Sequence, residues 1–143
     1  MQTNKIIRAN ELRTGNYADR LYWNPQPGHE VNEKENCKVV SIQHLTVNIE
    51  LKNSKTIIAK YSLANLFPIL LTPEILVKCG FEKGRETCYL RIESDYGCEI
   101  NMFEGKTFLQ DVDGGNIGVE IKYLHQLQNL YFALTGEELE VAI

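Results

Sequence analysis

Leu45, Val47, Ile49 and Leu51 alternate with Thr46, Asn48, Glu50 and Lys52, a period of two that turns one apolar face inward and predicts a half-buried β-strand. Upstream, Val40 and Ile42 are apolar on even numbers, so the phase has to change near Gln43-His44 through a turn or a bulge. Lys52-Asn53-Ser54-Lys55 has turn chemistry, and Thr56-Ile57-Ile58-Ala59 follows as another β-branched strand. An earlier strand is expected after Gly15-Asn16, running through Tyr17 to Trp23. Beyond it, Asn24-Pro25-Gln26-Pro27-Gly28-His29-Glu30 reads as a long exposed loop, because proline removes backbone donors and glycine adds freedom. Four or five short strands in about 65 residues predict a small SH3-like β-barrel.

Phe67-Pro68-Ile69-Leu70-Leu71 divides the pattern into residues 1–67 and 68–143. A flexible linker would be polar, so this apolar hinge predicts that the two halves pack together. The second half opens on Thr72-Pro73-Glu74, with threonine as helix cap, proline at the first helical position and glutamate in the first turn. That short helix ends at Cys79-Gly80. Four strands follow in the pattern: Cys88, Leu90 and Ile92; Cys98, Ile100 and Met102; Phe108 to Val112; and Ile117, Val119 and Ile121. Turns at Ser94 to Gly97, Glu104-Gly105 and Asp113-Gly114-Gly115-Asn116 separate them, which predicts an antiparallel meander. A last helix carries Leu124, Leu127, Tyr131 and Leu134 as its apolar stripe and stops at Gly136. Burying that stripe would contribute about 6–12 kcal/mol as an upper estimate. The expected fold class is therefore α+β: an N-terminal SH3-like barrel packed against a C-terminal meander flanked by two helices.

The chain of 143 residues is 43% apolar, enough for a real core. It has no run of about eighteen apolar residues, so no membrane segment is expected, and the N-terminus lacks the apolar core of a secretion signal. A cytoplasmic protein is the expectation. Net charge is −4, unevenly placed: residues 1–67 hold nine Lys or Arg against six Asp or Glu, and residues 68–143 hold six against thirteen. A sign reversal from +3 to −7 points to two surfaces with different partners. Cys37, Cys79, Cys88 and Cys98 have no Cys-x-x-Cys spacing, which argues against a zinc ribbon or a redox pair. If Ser94 to Gly97 is a tight turn, Cys88 lies roughly 16 Å from Cys98, too far for a disulfide. Reduced, buried thiols are expected.

Catalytic chemistry finds little support. His29, His44 and His125 fall in no nucleophile, metal or phosphate motif, and His125 is expected on the polar side of the last helix beside Gln128 and Asn129. A Cys37-His44 pair lacks a third orienting group. Asp111-Val112-Asp113-Gly114-Gly115-Asn116 fails as a calcium loop, since Gly115 replaces an oxygen ligand and Lys122 stands where the bidentate acid belongs. A hairpin turn whose Asp and Asn bond the backbone explains the same residues. Asp111 and Asp113 share a strand face, but nothing is expected to bury them. Gly114-Gly115 opens a strand instead of a helix, so no phosphate cradle is implied. No catalytic residue, metal site or cofactor is expected.

Binding surfaces are better represented. Arg13, Arg20, Trp23, Lys52, Lys55 and Lys60 form a candidate nucleic-acid face, with Lys34, Lys38, Tyr17, Tyr22 and Tyr61 nearby in sequence; small barrels combine cations with stacking aromatics in this way. Glu93, Asp95, Glu99, Glu104, Asp111, Asp113 and Glu120 form a candidate acidic protein-binding face, able to dock against a basic groove.

The segment from Tyr123 to Leu139, YLHQLQNLYFALTGEEL, closely resembles the C-terminal signature of a family of small uncharacterised proteins carried by phages and prophages. Ala9-Asn10-Glu11-Leu12-Arg13-Thr14-Gly15-Asn16 is similar to that family's opening, and Pro68 to Leu76 with Gly80-Phe81 looks like its middle element. The three pieces span nearly the whole chain in the family's order; Pro73 and Cys79 are departures within the short helix. The resemblance implies an origin and transfers no catalytic residue. It implies a non-enzymatic interaction protein of a mobile element, with a host or phage protein as partner. An inhibitor of a defence complex such as a CRISPR effector is the leading form. An RNA- or DNA-binding accessory protein is the alternative.

Overall fold

The computed structural model describes residue 7 and residues 11–23, 32–43, 46–92 and 97–143, with side chains of 21–23, 32 and 33 outside the description. The chain forms two compact units, Met1–Ile69 and Leu70–Ile143. Each is built on its own five-stranded antiparallel sheet, and two α-helices belong to the second unit. The fold is thus mostly β with an α+β character. The predicted loop at residues 24–30, His44, and residues 93–96 of the predicted turn lie outside the described residues.

In the first unit the strands are β1 (Tyr17–Trp23), β2 (Asn32–Ile42), β3 (Thr46–Leu51), β4 (Ile57–Ser62) and β5 (Leu66–Phe67), in the order β4-β3-β2-β1-β5. Edges β4 and β5 bound this order, so among the described residues the pairing forms an open sheet and no closed barrel. The turn before β1 is set by Gly15, at φ +96°, and by the fully buried Asn16, whose Oδ1 accepts the Arg13 N–H at 2.7 Å. Gly15 N–H and Asn16 C=O then bond Val39 from both sides, each at 2.8 Å. Ile7, Leu12, Ala18, Cys37, Val39, Val47, Ile49, Leu51, Leu63 and Leu66 make the core.

The phase change in β2 falls earlier than the pattern predicted. Cys37 and Val39 point inward, the pairing with β3 shifts between Val39 and Ser41, and Ile42 is exposed. A bulge at Val40 therefore absorbs the extra residue inside the strand, which leaves Gln43 free to close the hairpin by bonding Thr46 C=O at 2.8 Å.

In the second unit α1 (Pro73–Lys78) starts as its sequence predicts: Thr72 Oγ1 accepts the Ile75 N–H at 3.3 Å, Pro73 opens the helix and Gly80 follows it at φ +87°. Strands β6 (Glu82–Lys83), β7 (Thr87–Ile92), β8 (Cys98–Phe103), β9 (Lys106–Gln110) and β10 (Asn116–Ile121) pair in chain order. Glu104 and Gly105, at φ +51° and +77°, make the two-residue turn between β8 and β9. Cys88, Leu90 and Ile92 stand opposite Met102, Ile100 and Cys98, which fixes one inward face. All four cysteines are free thiols. Val119, expected inward, is 84% exposed, because Gly118 at φ +73° breaks the register of β10 between Ile117 and Ile121.

The last helix, α2 (Leu124–Thr135), is held at its start by Gln126 Oε1, which accepts the Lys122 and Tyr123 N–H groups at 3.0 and 3.2 Å. Gly136 closes it in the left-handed region, bonding Phe132 C=O at 2.8 Å. Its buried face differs from the predicted stripe. Leu124 and Leu127 are fully buried, but Tyr131 is half-buried and Leu134 is exposed. His125 and Gln128, expected on the polar side, are each 1% exposed, and the His125 ring stacks on Tyr123 with centroids 5.9 Å apart. The first turns are thus enclosed around more of their circumference than the last, and two buried leucines contribute about 3–6 kcal/mol instead of the larger sum.

Candidate interaction surfaces

The basic residues singled out from the sequence do not share one face. Arg13 sits in the turn before β1, with its guanidinium 3.3 Å from Thr14 C=O. Arg20 stands opposite Glu35 and two residues from buried Ala18, so it lies on the inward side of the sheet. Its Nε and Nη2 both donate to Glu35 Oε2, at 3.0 and 2.7 Å, and the two side chains are only 16% and 15% exposed. Trp23 ends β1, and its side chain is outside the description. Lys55, at φ +55°, lies 3.8 Å from Glu50. Lys60 interrupts the β3–β4 pairing at φ +53° and donates its N–H to Asn48 Oδ1 at 3.0 Å.

Strand register gathers a different set on the outward side. Tyr17, Lys38, Glu50 and Ile57 stand in one cross-strand row. Asp19 and Asn36 stand in the next, where the Lys52 N–H bonds Asn36 C=O at 3.2 Å. Lys34 is two positions from Asn36 on the same face. Lys34, Lys38 and Lys52 are therefore companions, and the Lys38 ammonium lies 5.9 Å from the Tyr17 ring centroid. Burial holds the Asp19 carboxyl above the usual carboxylate range, with Lys34 pulling it partly back. Burial likewise pushes the Cys37 thiol up to about 12, and Asp19 adds to the effect.

The acidic candidates are also divided. Glu93 and Asp95 lie outside the described residues. Glu99, Asp111 and Asp113 gather at the end of the C-terminal sheet where β8 begins and β9 ends, whereas Glu104 and Glu120 lie toward the opposite end. Asp111 Oδ1 accepts the Asp113 and Gly115 N–H groups at 3.0 and 2.8 Å, so it closes the turn that the sequence predicted. Asn116 completes it across the strands, its Oδ1 accepting from Gln110 Nε2 at 3.0 Å. Glu120 is paired with Lys122 at 3.6 Å. A groove of about 590 Å³ runs between Arg91, Cys98, Glu99, Gln110, Asp111 and Val112.

A surface absent from the sequence analysis lies on the same sheet. Both helices meet the inward side: Val77 of α1, Leu90 of β7 and Tyr131 of α2 line one groove. On the outward side, register places Glu82, Tyr89, Asn101 and Phe108 in a single row across β6 to β9. Arg91, Glu99, Gln110 and Asn116 make a second row, and Thr87, Phe103 and Lys106 a third. Phe103 is 47% exposed. Tyr89 Oη donates to Glu82 Oε2 at 2.7 Å, which raises the phenol above its ordinary pKa. Asn101 Nδ2 donates to Glu99 Oε1 at 3.0 Å, while its Oδ1 is buried with no donor. A buried acceptor left unmatched costs about 1–3 kcal/mol. The outward phase of β7 and β8 was readable from alternation alone. The row was not, since it depends on which residues pair across strands.

Among the described residues no three His, Cys, Asp or Glu side chains converge, and no helix is long and apolar enough to cross a membrane. Comparison with protein-family models, with curated proteins and with solved structures finds no match.

Proposed function

We propose that this is a non-enzymatic interaction protein of a phage or other mobile element, working in the host cytoplasm by binding a host or phage protein. A defence complex such as a CRISPR effector is the leading target. The observation that carries this reading is the outward side of the C-terminal sheet. It carries Phe103, which is exposed, and the half-buried Tyr89 and Phe108, with acidic groups at both ends. Aromatic side chains on a sheet supply contact area at low entropic cost and are enriched at protein interfaces. Three pieces of the phage-family resemblance also have a structural explanation: a buried turn at Gly15-Asn16, the capped α1, and an α2 anchored by Gln126 and Leu127. In the same reading the first unit is an open SH3-like sheet and the second a meander flanked by its helices.

Affinity capture from lysogenic cells, with and without nuclease treatment, tests the proposal. The expected result is a stoichiometric protein partner that survives nuclease treatment and is lost when Tyr89, Phe103 and Phe108 are replaced together by alanine. A partner retained by that variant, or one released by nuclease, overturns it.

A second reading is favoured by one specific arrangement: Lys34, Lys38 and Lys52 share the outward side of the N-terminal sheet with Tyr17. In it the protein is an RNA- or DNA-binding accessory factor. Affinity for an oligonucleotide would then fall steeply with ionic strength, because phosphate contacts release counterions.

A further inference from the structure

We infer that a groove on the inward side of the C-terminal sheet receives an apolar side chain of a partner protein, carried on a segment whose flanking residues are lysine or arginine. The groove includes Leu90, which alternates with outward Tyr89, so it is a second docking surface and stands whether or not the outward side is occupied. About 600 Å³ of space lies between the end of α1, Leu90 of β7, the last turns of α2 and the chain beyond α2. The helices leave this space open. α1 is six residues long and ends at Lys78, while α2 loosens toward its end, with Tyr131 half-buried and Leu134 38% exposed. Residues 137–142 border the gap instead, fastened at two points: Leu139 is 7% exposed, and the Ala142 N–H donates to Lys78 C=O at 2.9 Å. That carbonyl is among the last of α1, which the helix itself leaves unmatched, so the bond caps the helix and sets one wall of the groove. Val77, 47% exposed, and Val141 line the same space as Leu90 and Tyr131. An apolar side chain seated there removes their surface from water.

Charge narrows the occupant. Glu137, Glu138 and Glu140 line the groove against one base, Lys78, and all four are exposed. Lys78 sits in the last turn of α1, where it answers that helix's own negative pole. α2 has no basic residue in its last turn, so the negative pole of its dipole adds to the potential of the three glutamates. Lys83, inward in phase on the edge strand, does not line the groove. Three acids to one base attract a cationic partner and repel phosphate, which excludes nucleic acid and an anionic lipid surface. A free small cation would meet the acids but leave Val77, Leu90 and Val141 uncovered. A polypeptide with an apolar residue between basic ones meets both.

The test is an NMR titration of the full chain, read at methyl and amide signals, with three end-blocked hexapeptides: Lys-Lys-Leu-Leu-Lys-Lys, Lys-Lys-Ser-Ser-Lys-Lys and Glu-Glu-Leu-Leu-Glu-Glu. With the first, saturable movement of the Val77, Leu90 and Val141 methyls and of the Gly80 and Ala142 amides is expected, at a Kd below about 1 mM. The other two should bind at least about tenfold more weakly, since each lacks one half of the match. Replacing Glu137 and Glu140 together by glutamine, and separately Val77→Ser, should each weaken the first peptide about fivefold. All three positions are exposed, so the dispersed spectrum of a folded protein is kept. Equal binding of the serine peptide would mean charge alone, and equal binding of the glutamate peptide apolar contact alone. Either result, no saturable movement, or movement confined to residues outside the groove overturns the inference. Such a failure leaves the capture experiment of the preceding section untouched, and a partner retained by the Tyr89, Phe103 and Phe108 variant leaves this inference untouched.

Discussion

The two sheets have the same number of strands and the same antiparallel pairing, yet they treat charge in opposite ways. The N-terminal sheet draws an ion pair toward its inward side, where Arg20 and Glu35 satisfy each other, and turns lysines outward. The C-terminal sheet lines its inward side mainly with apolar residues and cysteines, with Lys83 in that phase at the edge strand, sends its acids to the ends and outward rows, and leaves the Asn101 amide oxygen unmatched beside the half-buried Tyr89 and Phe108. An interior that answers its own polar groups is finished as a fold.

The largest expected effect asks whether the two units stand independently. Leu127 is fully buried in α2, so Leu127→Asp should cost more than the about 2–5 kcal/mol of a leucine-to-alanine truncation. Hydrogen exchange should then show protection lost across residues 70–143 and retained in β1, β2 and β3. Loss in both units would mean that their stabilities are coupled, and unchanged protection would mean that α2 is not docked.

A smaller pair of effects contrasts the ion pairs. Glu35→Gln should lower stability by about 1–3 kcal/mol, since it weakens two short donor contacts in a half-buried setting. Glu99→Gln should change it by less than about 0.5 kcal/mol, because Arg91 is 82% exposed and 3.7 Å away. Urea midpoints measure both, and equal losses would erase the contrast between the sheets.

Asp19 gives a pH-dependent version. Its folded carboxyl binds a proton more tightly than the unfolded one, so its contribution is fully present below the ordinary value of 3.8 and is lost as pH rises through the raised value. Asp19→Asn should therefore melt slightly higher than the parent at pH 7, with the gap closing as pH falls below 3.8. A lower melting point at pH 7 would show that attraction to Lys34 outweighs burial.

The least disruptive comparison uses the thiols. Burial pushes Cys37 up to about 12 and Cys79 up to about 11, whereas Cys98 is only half-buried. In the native protein at mildly alkaline pH a disulfide reagent should label Cys98 first and leave Cys37 and Cys79 until unfolding. Simultaneous labelling would mean that the core around Cys37 is open.

Local chemistry was legible along the chain because it acts over a few residues. The cap at Thr72-Pro73, the stop at Gly136, the strand from Tyr17 to Trp23 and the turn closed by Asp111 all follow from side chains bonding their own neighbourhood. Where one residue shifts the pairing, the pattern misleads, as at Val40 and Gly118: a bulge is set by the partner strand, and a single inserted position exchanges inward for outward. The same limit governs the surfaces. Sequence proximity grouped Arg20 with Lys52 and Glu104 with Asp111, but register separates both pairs, brings Lys52 beside Asn36 between Lys34 and Lys38, and sets Tyr89 and Phe108 on either side of Asn101. The sequence by itself determined most of the segments that become strands, helices and turns, because those depend on local conformation and hydrophobic period. It did not mark the two-residue β5 and β6, which are defined by pairing with β1 and β7. Only the tertiary structure decided which side chains meet across strands, because that depends on pairings between residues far apart in the chain.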